Sequence, residues 1–438
     1  MSDQPSATVA PTVSPWRWTP TLYFCQGIPY VVVMSLAVVL YKNLGVGNTE
    51  IALYTSWLYL PWVIKPLWSP LVDLLGSKRR WIVALQFIIG AALAMVALTL
   101  PTPGFVQATL AVFWLLAFAS ATHDIAADGF YMLALPAHTQ AAFVGVRSLF
   151  YRLAMIGGQG GLVYLAGALT DRSGSAVSAW VTVFALLAAL FGIAAAWHLW
   201  ALPQPDIDRA APRSGELWAD FAKVFAAFFR QRDIVRVLAF LLLYRFAEAQ
   251  LLKLVTPFML DARELGGLGL KTQDVGIAYG TVGVSALTLG GLLGGWVISK
   301  VGLRRTLWPL IISMHVPNLV FVALALLQPG SLWVVSAAVA VEQFGYGFGF
   351  TAFMVYMLMV ASGSGKSTGV DNPHKTAHYA ICTGFMALGM MLPGMAAGWL
   401  QQRLGYLHFF IWVCLATLPS FIAAALVRID ADFGRRQD

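Results

Sequence analysis

The chain has 438 residues, of which 59% are hydrophobic and only 11% charged, and it carries a formal net charge of +8. So little polar surface cannot coat a water-soluble globule of this length, and the balance reads as a polytopic membrane protein. The basic excess needs no nucleic acid to explain it, because membrane topology alone concentrates Lys and Arg on one side.

The first fifteen residues are rich in Pro, Ser and Thr without a basic segment, so the apolar run after them is expected to remain as an anchor. A membrane-crossing helix needs about 20 mostly apolar residues. That template predicts twelve spans, at 19–41, 50–74, 81–100, 106–135, 145–169, 177–201, 234–260, 274–299, 306–328, 332–360, 376–401 and 406–428. The one long polar interval, PQPDIDRAAPRSGELWADFAKVFAAFFRQRD, falls between the sixth and seventh. The expected fold is an all-α membrane protein with twelve transmembrane helices in two pseudo-symmetric six-helix halves. Residues 1–18 would form an N-terminal tail, 19–202 and 234–428 the halves, 203–233 a linker and 429–438 a C-terminal tail.

Alternate loops differ in charge. One set holds nineteen Lys and Arg residues, among them Lys78, Arg79, Arg80, Arg147, Arg304 and Arg305, and the other holds five: Lys42, Arg172, Arg263, Lys271 and Arg403. The positive-inside rule puts the rich set, both termini and the linker in the cytoplasm, and a bacterial inner membrane is the expected location. The halves also echo one another. Gly76, Lys78 and Arg79 match Gly302, Arg304 and Arg305 at an offset of 226; YMLAL at Tyr131 matches YMLMV at Tyr356 at 225; Gly167 matches Gly398 at 231. Parallel six-helix repeats are a transporter plan.

Lys65, Arg152, Arg245 and Lys253 lie within predicted spans, as do Asp124, Asp128, Glu248 and Glu342. At about 2.5–3.5 kcal/mol for each central charge, eight unpaired groups would cost roughly 24 kcal/mol. They must therefore face one another or a wet cavity, and such groups are candidates for a substrate path or proton relay. Asp124 and Asp128 share one helix face; with Arg152 a helix away they either share a proton or form a buried ion pair, and the second acid is left over. Arg245 and Glu248 can pair along their own helix or contact substrate, and Tyr244 and Lys253 join them as substrate-facing candidates. Glu342 has no cation within a turn and is the best lone protonatable group. Lys65, between Pro61 and Pro66, is expected to face a cavity. His123 and His315 are expected to serve packing rather than proton relay.

Other motifs carry less. SGSGKSTG, from Ser362 to Gly369, imitates the end of a phosphate-binding loop, but the leading Gly position is occupied by Val360 and an apolar run precedes it, so ATP is not expected. Six extra residues in the second half place an insertion in this loop. IGGQGG and LGGLLGG read as close helix packing rather than nucleotide loops. Cys25, Cys382 and Cys414 lie in apolar runs and indicate neither disulfides nor a metal cluster. No cofactor, metal site or catalytic constellation is expected, and the chain is read as a monomer.

The loop SPLVDLLGSKRR resembles the signature loop of the major facilitator superfamily, with Asp73 at its acidic position and Ser69 and Leu74 departing from the pattern. More specifically, QGIPY, LWSPLVD, HDIAADGFYMLALP, YRLAM and KTAHYAICTGFMALGMMLPGMAAGW resemble the AmpG-type muropeptide permeases, a branch shared with acetyl-CoA transporters. The resemblance runs from about Thr19 to Arg428. It implies proton-driven import of anhydro-sugar peptides, and it carries over Gln26, Gly27, Pro29, Asp73, Asp124, Asp128 and Arg152. His123 stands where a Gln is commoner, and some members have extra terminal helices. Asp73, with Arg79, Arg80, Arg304 and Arg305, would brace a cytoplasmic gate. Muropeptides and coenzyme A thioesters are both anionic, so intramembrane cations suit either, and Tyr30, Tyr54, Trp57 and Tyr59 could stack on a sugar or adenine. A proton moving across about 100 mV supports roughly fifty-fold accumulation.

Overall fold

The computed structural model describes residues 13–205, 208, 217–231, 233–363, 375–430 and 433–435. In chain order the helices are α1 (Pro15–Asn43), α2 (Asn48–Trp57), α3 (Leu60–Leu74), α4 (Lys78–Thr99), α5 (Phe105–Ala134), α6 (His138–Ser173) and α7 (Ala176–Ala201). There follow α8 (Leu217–Phe229), α9 (Ile234–Leu243), α10 (Phe246–Leu260), α11 (Thr272–Val301), α12 (Leu303–Leu327), α13 (Leu332–Ser362), α14 (Lys375–Leu415) and α15 (Leu418–Leu426).

Among the described residues nine helical stretches are long and apolar enough to cross a membrane. They differ from the twelve expected runs for local reasons. The run at 50–74 divides at Leu58–Tyr59, because Pro61 has no N–H to carry the ladder back to Trp57 and instead sits in the first turn of α3. The run at 234–260 divides where Arg245 leaves helical backbone, at φ −109° and ψ 19°. The runs at 376–401 and 406–428 merge into one stretch that turns at Gly405, whose φ of 74° suits a residue without a Cβ.

Residues up to 202 build one set of apolar cores, where α4 packs between α5 and α7. A second set, chiefly from residue 225 onward, packs α13 against α11 and α12. The repeat seen in the sequence has a structural counterpart. A Cβ on Gly167 would lie 2.4 Å from the Gln273 backbone nitrogen, and one on Gly398 would lie 2.2 Å from the Asn48 carbonyl oxygen. Each glycine thus lets its helix press on the other half where a helix begins, in mirrored roles. Tyr131 and Tyr356 also correspond, each packing its ring on the first helix of its own half, against Tyr23 and Phe240.

The expected linker is not all irregular. It contributes α8, whose Phe228 is fully buried and stacks on Phe385 of α14. Asp208 accepts hydrogen bonds from the backbone nitrogens of Lys78 and Arg79 at 2.7 and 3.0 Å, satisfying two free donors at the start of α4. SGSGKSTG is described only as far as Gly363, which ends α13 in a left-handed conformation; Lys366 and the proposed insertion lie outside the described residues.

The two halves are fastened together at one end, around the turns at 43–48, 173–176, 260–272 and 404–406. Lys42 Nζ lies 2.5 Å from Asp261 Oδ1, and Lys271 Nζ 2.9 Å from Asp171 Oδ2. The Asn48 amide donates to Asp261, to Gln401 and to Tyr406 at 3.2, 2.9 and 2.9 Å. At the opposite end, which carries the basic loops, the halves diverge around a cavity.

Candidate functional site

The cavity occupies about 920 Å³ between the halves, at the upper end of the roughly 300–1,000 Å³ usual for small-molecule sites. Three helices that line it contain wide π-helical turns, at Val32–Leu36 in α1, Gly157–Leu162 in α6 and Gly276–Gly283 in α11. Such turns shift the register of the side chains beyond them; in α1 the turn follows Pro29, whose missing N–H already breaks the ladder. From α6 the wall receives Val144, Arg147, Ser148, Tyr151, Arg152 and Met155, a spacing that keeps one helical face toward the cavity.

Four cations reach this wall: Arg147, Arg152, Arg245 and Lys253. Arg147 is neutralised, because its guanidinium lies 2.6 Å from Asp128 Oδ1, which also accepts from Tyr23 Oη at 3.2 Å. The other three find neutral partners. Arg152 donates across the halves to Thr288 Oγ1 at 3.4 Å. Arg245 donates to Tyr346 Oη and lies 4.8 Å from the centre of the Phe350 ring. Lys253 donates to Thr55 Oγ1 at 3.0 Å and sits 5.0 Å from the Tyr59 ring centre. Tyr30, Tyr59, Tyr279 and Tyr379 complete a rim of aromatic hydroxyls, and Gln26 lines the wall with its Oε1 unpartnered.

Several expectations are corrected. Arg152 pairs with neither Asp124 nor Asp128, because Lys65 and Arg147 take those places. Lys65 does not line the cavity: its Nζ approaches Asp124 Oδ2 at 3.8 Å, and the Trp62 indole donates to the same oxygen at 3.2 Å. Arg245 makes no ion pair with Glu248, since the break at Arg245 turns its side chain onto α13. Tyr244 is buried in the second half, donating to the Gly349 carbonyl at 2.9 Å, so it is a packing residue. Glu248 and Glu342 are fully buried behind the cavity wall. Gln343 donates to Glu342 Oε2 at 2.8 Å, while Oε1 has no partner. His123 belongs to a buried chain in the first half, in which Thr21, His198, Gln86 and His123 bond in turn.

The gate candidates divide as well. Arg79 donates to the carbonyls of Leu199 and Leu202, closing the last turn of α7. Arg80, Arg304 and Arg305 are exposed, and the side chain of Asp73 lies outside the described residues. The sequence reading missed Arg147, which it placed in a loop, and Tyr23, Tyr151, Tyr279, Tyr346 and Tyr379. The signal for Arg147 was available: with Val144, Ser148, Tyr151 and Arg152 it completes a face of helical period.

A membrane-embedded helical protein with a cationic cavity between two joined halves is built as a transporter of small molecules. The chain belongs to the Major Facilitator Superfamily, whose family model matches residues 21–372. It is 27% identical to the anhydromuropeptide permease of Escherichia coli K12 over 86% of this chain and 72% of that one. It is 24% identical to the putative transporter AmpG 4 of Rickettsia conorii over 90% and 92%. Among solved structures it resembles the nucleoside transporter NupG, in its D323A mutant, with a TM-score of 0.69 at 16% identity, covering 94% of this chain and 99% of that one.

Proposed function

We propose that the protein is a proton-coupled secondary importer of anionic cell-wall fragments, the anhydro-muropeptides, that works by alternating access across the bacterial inner membrane. The observation that carries this reading is the cavity wall, in which Arg152, Arg245 and Lys253 stand without a carboxylate of the described residues within ion-pair distance. Buried cations held only by hydroxyls and rings are costly to keep, and an anionic ligand would compensate them. Flanking tyrosines give flat faces for sugar rings. Similarity to the anhydromuropeptide permease of Escherichia coli supports the muropeptide class. With the basic end in the cytoplasm, the cavity opens inward and the fastened end closes the outer face. Transport then consists of rocking the halves about this site.

Purified protein in liposomes, supplied with labelled anhydro-muropeptide outside, should accumulate it when the exterior is made acidic, and external pH should rise with uptake. Accumulation that ignores collapse of the proton gradient would overturn the coupling. Equal or preferential uptake of a coenzyme A thioester would overturn the substrate class.

A further inference from the structure

We propose that Glu248 is the proton-carrying group, hydrogen-bonded to His315 when protonated, and that Arg245 is shared between the substrate anion and the ionised Glu248 carboxylate. This rests on the proton-coupled reading above and sharpens it to one site. Of the four acids in the expected spans, Asp124 and Asp128 each have a cation and further donors. Glu248 has neither: it is 0% exposed and both its oxygens lack hydrogen-bond partners. His315 Nδ1 lies 4.0 Å from Glu248 Oε1; the residue is 3% exposed, its ring also faces the Tyr244 backbone, and no full hydrogen bond joins it to Glu248. Asn318, one helical turn beyond on the same stretch, is 1% exposed, and its amide faces the Glu248 carboxylate without completing a full hydrogen bond. Three fully buried polar side chains converge with unused donors and acceptors, and such a set is stable only when something supplies the missing bonds.

A proton supplies them. It forms an O–H bond on Glu248 Oε1, and that hydroxyl donates to Nδ1 of neutral His315. A small closure of the 4.0 Å gap suffices. The ring of His315 lies among Tyr244 and Phe421. The titratable or charged groups facing Glu248 are Arg245 on its own stretch, His315 on α12, Tyr279 on α11, Glu342 and Tyr346 on α13, and Cys414 on α14. Arg245 is the one permanent cation among them. Because Arg245 sits at the break between α9 and α10, its side chain has a pivot that a continuous helix would deny.

Coupling follows from competition for that guanidinium. With Glu248 neutral, Arg245 keeps its charge toward the cavity and can hold the anion. When the O–H bond breaks and the proton passes to water, the carboxylate left three residues from Arg245 draws the guanidinium away, and the anion is released. One proton enters and one leaves, with no change of oxidation state.

The test uses the full chain in liposomes. In the Glu248→Gln variant, accumulation driven by a proton gradient should fall from the roughly fifty-fold that one proton sustains across about 100 mV to none, and residual exchange of labelled for unlabelled substrate should become independent of pH. His315→Asn should shift the pH midpoint of exchange without abolishing gradient-driven uptake. A readout on the unmodified protein avoids any folding defect: dicyclohexylcarbodiimide, which adds to protonated carboxyl groups in apolar surroundings, should label the peptide carrying Glu248, and substrate should change that labelling. Retained accumulation in Glu248→Gln, or labelling confined to Asp124, Asp128 or Glu342, would overturn the site. If the unmodified protein shows no response to a proton gradient, the coupling reading itself fails instead.

Discussion

The two halves repeat the same helical plan but treat their buried charges in opposite ways. In the first half the two acids of α5 are matched: Asp124 by Lys65 and Trp62, Asp128 by Arg147 and Tyr23. In the second half Glu248 and Glu342 stand behind the wall with unsatisfied oxygens, and Arg245 and Lys253 stand in the wall bonded to hydroxyls and rings. Breaking a buried pair strands a charge and costs stability, whereas a group already alone has no such partner to lose. The difference teaches that the first half is the braced frame and the second the half with charges free to change partners.

The largest effect is expected where the halves exchange partners directly. Asp261→Ala strands Lys42 and removes acceptors from Asn48 and Tyr406, so the fastened end should lose about 3 kcal/mol; cysteines placed at the 43–48 turn should then react faster with a membrane-impermeant thiol reagent. Next, Lys253→Met should weaken binding of an anionic ligand by about ten- to a hundred-fold while leaving the fold intact, as titration calorimetry and thermal unfolding would show together. Transplanting the unpaired condition into the first half by Lys65→Met should lower unfolding stability by about 1–2 kcal/mol, because the pair is only partly exposed and long. A double-mutant cycle on Asp128 and Arg147, whose side chains are 44% and 27% exposed, should return a coupling of about 0.5–1 kcal/mol. Smallest of all, Glu342→Gln should change thermal stability by less than about 0.5 kcal/mol, since an isosteric amide replaces an acid that has no cation. A large loss there would erase the contrast between the halves.

Much of the architecture was legible. Apolar runs such as 106–135 and 332–360 fall within a residue or two of α5 (Phe105–Ala134) and α13 (Leu332–Ser362), because length and hydropathy are properties of a segment by itself. The match of Gly167 with Gly398 pointed to a repeat, and both glycines turn out to admit the opposite half. Gln26, Tyr30, Arg152, Arg245 and Lys253, singled out from the sequence, do reach one cavity. What could not be read was who faces whom. Helical period assigns Asp128 to a face, yet choosing Arg147 over Arg152 depends on the rotation and height of α6 against α5, and Arg147, near the start of the expected span 145–169, counts with the loop charges when only hydropathy is read.

The sequence by itself therefore determined that this chain lives in a membrane as paired helical halves and that it must hide charge there, since composition and the cost of burying ions allow nothing else. Only the tertiary structure decided how the charges divide, with both span acids of the first half in ion pairs and those of the second, like the cavity cations Arg152, Arg245 and Lys253, without one. The physical reason is that desolvation is a property of a residue and its surroundings, whereas a salt bridge is a distance between two helices, and no local pattern encodes that distance.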